Sequence, residues 1–189
     1  IRYRKEFLWN LESSKYWCNR IKDRILGNTD THLDMFIKHG VKSIQVGNSE
    51  YLLNSESTNH KVLIFSALTN QASKLSRYSI HSKKDVDSNK LLLEQFNQGI
   101  IRELSSCDML TLGLNLKNAK YAIMESFNGS ETSNSQKKGR LSRLESDEIA
   151  SCIWIVSKNT QAETWLDNSL TNVDDEWIIE ITNVNEISI

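Results

Sequence analysis

Two basic clusters are the residues of this chain best suited to contact a phosphate. Lys83 and Lys84 stand with Arg77 and His81 in the polar stretch 69–89, and Lys137, Lys138, Arg140 and Arg143 stand in the stretch 129–143. Cationic side chains on polar loops hold phosphate groups without reading sequence, although a plain solvated loop has the same composition. Glu125 is the carboxylate that closes the apolar run 120–127. One or two carboxylates on an apolar strand make a poor Mg²⁺ site, and pairing with a backbone or Lys group is the structural alternative. Cys18, Cys107 and Cys152 lie far apart and form no C-x-x-C pair, which suggests a reducing compartment and no zinc site.

The elements that must position these residues follow from periodicity. Residues 120–127 and 152–157 are short apolar runs rich in β-branched or aromatic side chains, the length of buried central strands. The second leads into a helix over 158–170, capped by Asn159 or Thr160, with Ala162, Trp165, Leu166 and Leu170 on one stripe. A strand feeding a helix is the unit of an α/β sheet.

Upstream, the spacing predicts a helix over residues 1–26 stopped by Gly27, and a short helix over 33–39 stopped by Gly40. Strands are predicted at 41–46, from Tyr51, and at 61–65. The stretch 69–89 reads as an ordered insertion or a mobile loop. A helix capped by Ser88 or Asn89 follows and carries Leu91, Leu92, Phe96, Ile100 and Leu104, and helix is expected to continue over 108–116. Residues 129–143 read as a flexible loop. A short helix over 144–149 and a last strand over 177–182 complete the reading.

The chain has 189 residues, enough for one domain with a real core, and 1–189 is read as a single domain with an N-terminal helical segment at 1–30. Apolar residues make up 39% and charged residues 25%, and the formal net charge of -1 excludes bulk polyanion binding. The charge is uneven: residues 1–26 are basic, and the tail from Leu144 carries ten carboxylates against Lys158. Such asymmetry favours an acidic or nucleic-acid partner at one end, and solvated helix faces produce it too. No apolar run reaches membrane-spanning length, and no membrane partner is expected. The chain begins with Ile1, from which we expect a domain cut from a longer protein. It has no proline, so Asn, Ser, Asp and the seven glycines shape its loops.

The runs Ile153–Ser157, Ala162–Glu163 with Trp165, and Ala122–Glu125 resemble strands and a helix of the XPF-type structure-specific endonuclease family. Val46-Gly47 followed by Tyr51-Leu52-Leu53 is similar to that family's Gly-Asp turn and next strand, with two extra residues. The resemblance implies a three-layer restriction-nuclease-like α/β domain with a central mixed sheet flanked by helices. Its metal-binding set is degenerate here. Asn48 replaces an Asp, Leu63, Ile64 and Phe65 stand where Glu, Arg and Lys are needed, Thr69 or Asn70 replaces a later Asp, and of the acidic set Glu125 survives, alone or with Glu50 nearby. The resemblance therefore implies a pseudonuclease with no catalysis and no cofactor.

Within that family the chain looks most like the XPF-like subunit of the meiotic Zip (ZMM) crossover complex. That likeness implies a heterodimer with an ERCC-type small subunit, and binding of branched DNA such as Holliday junctions. It further implies association with other meiotic crossover-complex proteins, promotion of synapsis, and a place on meiotic chromosomes in the nucleus. The basic residues named above would touch DNA, and Trp165, Leu166, Ser169, Trp177 and Ile179 would face the partner. No helix-hairpin-helix is recognisable. Three alternatives stay open: the ERCC-type small partner itself, a divergent active nuclease using Glu50, Glu125 and Asp108, and a protein-interaction module without DNA contact.

Overall fold

In the computed structural model, the described residues are 11–27, 43–46, 49–52, 60–107, 116, 119–130, 134 and 149–187. The expected helices over 33–39 and 144–149 (up to residue 148), and most of the stretches 108–116 and 129–143, lie outside them.

The core is a five-stranded sheet built from β3 (Val62–Phe65), β4 (Ser79–Ile80), β5 (Glu103–Ser106), β6 (Tyr121–Met124) and β7 (Ser151–Trp154). Its spatial order is β4-β5-β3-β6-β7, and every pairing is parallel. The short strands β1 (Ser43–Val46) and β2 (Ser49–Leu52) form a separate antiparallel pair. The expected mixed sheet is thus corrected. The main sheet is all parallel because each strand is followed by a crossover rather than a hairpin, and pairing direction is invisible in an apolar run.

Among the described residues four helices flank this sheet: α1 (Glu12–Leu26), α2 (Thr69–Leu75), α3 (Val86–Asn97) and α4 (Gln161–Leu170). Period-two alternation divides the strand side chains between two cores. Leu63, Phe65, Ala122 and Met124 point to one face and meet Leu93 and Phe96 of α3 and Trp165 of α4. Val62, Ile64, Tyr121 and Ile123 point to the other and meet Cys18, Ile21 and Ile25 of α1 and Leu75 of α2. A sheet covered on both faces explains why its inner strands are continuous apolar runs.

Local chemistry fixes the helix ends. Gly27 closes α1 in the left-handed region, φ 66°, as its position predicted. The side chain of Thr160 accepts from Ala162 N at 3.1 Å and caps α4, while Glu163 reaches back to Asn159 N at 2.9 Å. The cap of α3 is Asp85, accepting from Ser88 N at 3.0 Å, three residues before the expected Ser88. Ion pairing ties α1 to the sheet: Lys22 Nζ sits 3.2 Å from Glu103 and donates to Leu75 O at 2.9 Å.

Three further expectations are corrected. The stretch 69–89 is ordered rather than a mobile loop, and it is part of the fold, since it supplies α2, β4 and the first turn of α3. Leu104 belongs to β5 rather than to the preceding helix, which ends at Asn97 with a turn at Gly99, φ 77°. Residues 178–182 form no strand. A 3-10 turn at Asp175–Trp177 precedes them, and Ile181 packs against the α1 face of the sheet. Among the described residues no helix is long and apolar enough to cross a membrane.

Gly129 lies against the indole of Trp165, and an added Cβ would sit 2.8 Å from Trp165 Cδ1. The ring is buried and packed edge-on to Phe127, so it cannot swing aside freely. Gly129→Ala is therefore expected to destabilise the domain by about 1–3 kcal/mol, measured by urea unfolding. An unchanged midpoint would show that the indole moves at no cost.

Candidate functional site: the carboxyl edge of the parallel sheet

In an open parallel sheet, ligands bind beyond the carboxyl ends of the strands, where the chain order reverses. Here the order reverses at β3, which lies between β5 and β6. Polar residues follow three strands at this edge, His81 after β4, Ser66 after β3, and Glu125 and Ser126 after β6, and Ser157 stands three residues beyond β7.

Glu125 is the centre of the edge. It is 2% exposed. Its Oε2 accepts from Ser66 Oγ at 3.0 Å and from Ser126 Oγ at 2.7 Å. Ser126 Oγ in turn accepts from Ala67 N at 2.8 Å, and Glu125 N donates to Phe65 O at 3.0 Å. The carboxylate is thus held by the loops after β3 and β6 together. Its other oxygen, Oε1, is buried with no hydrogen-bond partner. The expected pairing with a backbone or Lys group is replaced by two serine hydroxyls. Burial raises the Glu125 pKa, opposed by the hydrogen bonds from Ser126 and Ser66 and by the charge of Lys15.

A small crevice opens beside Glu125. Ser14 of α1, Ser126 and Ser157 give it polar walls, and Phe127, Ile155 and Trp165 give it apolar ones. At the other end of the same edge, the turn after β4 carries exposed Lys83 and half-buried Lys84. His81 anchors that turn: its Nε2 lies 3.0 Å from Ser73 Oγ, and Asn89 Nδ2 donates to its carbonyl at 3.2 Å. Burial lowers the His81 pKa, reinforced by Lys84 and Lys83.

The sequence-predicted residues scatter over this frame. Lys83 and Lys84 reach the carboxyl edge, whereas Asn48, Lys137, Lys138, Arg140 and Arg143 lie outside the described residues. Trp165 and Ser169 are buried, Leu166 is half-buried, and Trp177 and Ile179 are exposed. Leu63, Ile64 and Phe65 form the buried centre of β3, and Thr69 opens α2. Their apolar character is what a central parallel strand requires, so no lost acidic set needs to be invoked. Ser66, Ser126 and Ser157 were missed as a set. A serine just beyond an apolar strand recurs in all three, and that recurrence was the available signal.

Among the described residues no group of three or more His, Cys, Asp or Glu side chains could hold a metal ion. Among the described residues Glu125 therefore belongs to no such group of three, the size of a full carboxylate nuclease centre.

The pH dependence of Glu125 can be tested. Its folded pKa is raised, so the stability contributed by its protonated form is present below the ordinary carboxylate range and is lost as pH rises through the folded pKa. Glu125→Gln cannot ionise. Its stability relative to wild type should therefore climb through that window, with a slope of at most about 1.4 kcal/mol per pH unit. Thermal melts of both proteins from pH 4 to 8 in metal-free buffer would measure it, and parallel curves would refute the assignment.

Comparison with known proteins identifies the fold. Residues 45–145 match the family described as helicase conserved C-terminal domain. No curated protein matches the chain. Among solved structures, the C-terminal part of the Fun30 ATPase domain superposes with a TM-score of 0.51 at 19% identity, covering 58% of this chain and 39% of that one. S. cerevisiae Dbp5 bound to RNA and ADP BeF3 gives 0.51 at 14% identity, covering 60% and 32%. The E. coli DEAD-box protein SrmB, bound to regulator of ribonuclease activity A, gives 0.51 at 10%, covering 60% and 70%. The chain thus spans well under half of the first two structures it matches.

These findings overturn the XPF-type resemblance and the pseudonuclease, meiotic crossover and synapsis functions inferred from it. The expected partner subunit and branched DNA rested on the same resemblance. The expectation of a non-enzyme is corrected too, since it rested on a degenerate nuclease centre and the matched family is one of helicases. The family match takes in more than half of the residues, and the chain belongs to the helicase conserved C-terminal domain family.

Proposed function

We propose that this chain is the C-terminal α/β lobe of a helicase-type, nucleic-acid-dependent ATPase, and that its carboxyl edge contacts phosphate. The observation that carries this reading is the family match over 45–145, a span that contains both basic clusters. The relative solved with RNA and ADP BeF3 supports the same two ligand classes.

Each cluster has a physical role in this reading. Lys83 and Lys84 sit on a turn that His81 and Asn89 hold in place at the sheet edge, so their charges are presented from a fixed base. Such lysines neutralise backbone phosphates and release counterions, giving affinity without sequence preference. Lys137, Lys138, Arg140 and Arg143 supply two guanidinium groups, whose planar forks suit phosphate oxygens. An arginine reaching a nucleotide's transferring phosphoryl group stabilises charge in the transition state.

The test is ATP hydrolysis by the full-length protein with and without RNA or DNA, alongside salt-titrated binding. Nucleic acid should stimulate turnover. Lys83→Ala with Lys84→Ala should weaken binding and flatten the slope of log K against log salt by about 0.7–0.9 for each phosphate that is no longer neutralised. Arg140→Ala or Arg143→Ala should cut turnover by a factor of about 10³ or more if the side chain reaches the nucleotide, and should flatten the salt slope if it reaches nucleic acid. Absence of ATP turnover, or variants that leave both turnover and salt slope unchanged, would sink the proposal.

A further inference from the structure

The crevice beside Glu125 has an unmet requirement that is independent of ATP hydrolysis. The carboxylate is buried, Oε2 is saturated by two hydroxyls, and Oε1 has no partner. A buried oxygen in that state costs free energy until a donor or a positive charge reaches it. No cation among the described residues hydrogen-bonds Oε1. Lys15, whose charge acts on Glu125, has its ammonium engaged by Glu12.

The size of the crevice limits the guest. Its volume is about 20 Å³, which holds one water-sized particle and no guanidinium or nucleotide. Apart from the Trp165 indole, the polar side chains that line it carry hard oxygens: the carboxylate of Glu125 and the serines at 14, 126 and 157. Oxygen donors suit hard cations. A single carboxylate balances one positive charge, and among the described residues that line the crevice there is no second carboxylate that would favour a divalent ion. Above the folded pKa of Glu125, a neutral water would satisfy the hydrogen bond but leave the buried charge uncompensated.

We propose that the crevice between α1 and the carboxyl ends of β6 and β7 is a seat for one water-sized monovalent cation (potassium, sodium or ammonium), held by Glu125 with the Ser14 and Ser157 hydroxyls. Such an ion binds across Ser14 of α1, Glu125 after β6 and Ser157 after β7. It clamps the loops of the carboxyl edge together, so occupancy stabilises the folded state.

The experiment is thermal unfolding of the intact chain at pH 8 and constant ionic strength in potassium, sodium, ammonium or choline chloride. Choline is too large for the crevice and serves as the reference. At a cation concentration about ten times Kd, the melting temperature should rise by about 3–6 °C over choline with at least one small cation. Glu125→Gln should abolish that rise. Ser157→Ala, a milder variant that keeps the carboxylate, should shift the half-maximal cation concentration upward several-fold, and it decides the matter if Glu125→Gln fails to fold. Equal melting in choline and in all three small cations would overturn the proposal and leave water or a proton in the crevice. A rise that survives both substitutions would overturn it in favour of an ion bound elsewhere.

Discussion

The parallel pairing of β3 with β5 on one side and β6 on the other is the constraint from which the rest of the structure follows. Val62, Leu63, Ile64 and Phe65 are fully or almost fully buried, and each is in register with a residue of both neighbours. Because the pairing is parallel, all carboxyl ends fall on one edge. The loops leaving β3 and β6 therefore meet there, and Ser66, 59 positions from Glu125, hydrogen-bonds its carboxylate. A single register slip of β3 would turn Leu63 and Phe65 toward the opposite core and remove Ser66 from Glu125.

The same strand accounts for the likeness to a nuclease-type sheet and for its failure. Short apolar strands, helices stopped by glycine and a carboxylate at a strand end recur across α/β folds with quite different chemistries. Order of elements alone does not separate them. Reading Leu63, Ile64 and Phe65 as replacements for charged ligands presumed a strand with a solvent-facing active edge. In the structure they are the interior of a sheet covered on both sides, where charged residues would be strongly unfavourable.

The two faces of the sheet are anchored differently. On one, α3 and α4 bring Phe96 and Trp165 against Leu63 and Phe65, with Phe127 stacked edge-on to Trp154 at 4.7 Å. On the other, α1 is joined by apolar contact through Cys18, Ile21 and Ile25 and also by the Lys22–Glu103 pair. Glu103 accepts from Ser76 Oγ at 2.7 Å as well, so this partly buried charge is compensated twice. That anchoring sets where Ser14 stands above the end of β6, and so shapes the crevice at Glu125.

Local sequence was enough to establish the α/β class, the positions of β3, β6, β7 and α4, the stop of α1 at Gly27 and a cap of α4 at Asn159 or Thr160, of which the structure uses Thr160. These depend on local periodicity and on residues that satisfy nearby backbone groups. It also exposed the basic clusters, because charge is legible without a fold. Three outcomes emerged from long-range packing alone: the main sheet is wholly parallel, residues 69–89 build α2 and β4, and Leu104 lies in a strand. They depend on which strands become neighbours, a matter of crossover connections and two-sided burial that short windows do not encode. The environment of Glu125 was hidden for the same reason: Ser14, Ser66, Ser126 and Ser157 are ordinary serines until the sheet brings its edge together.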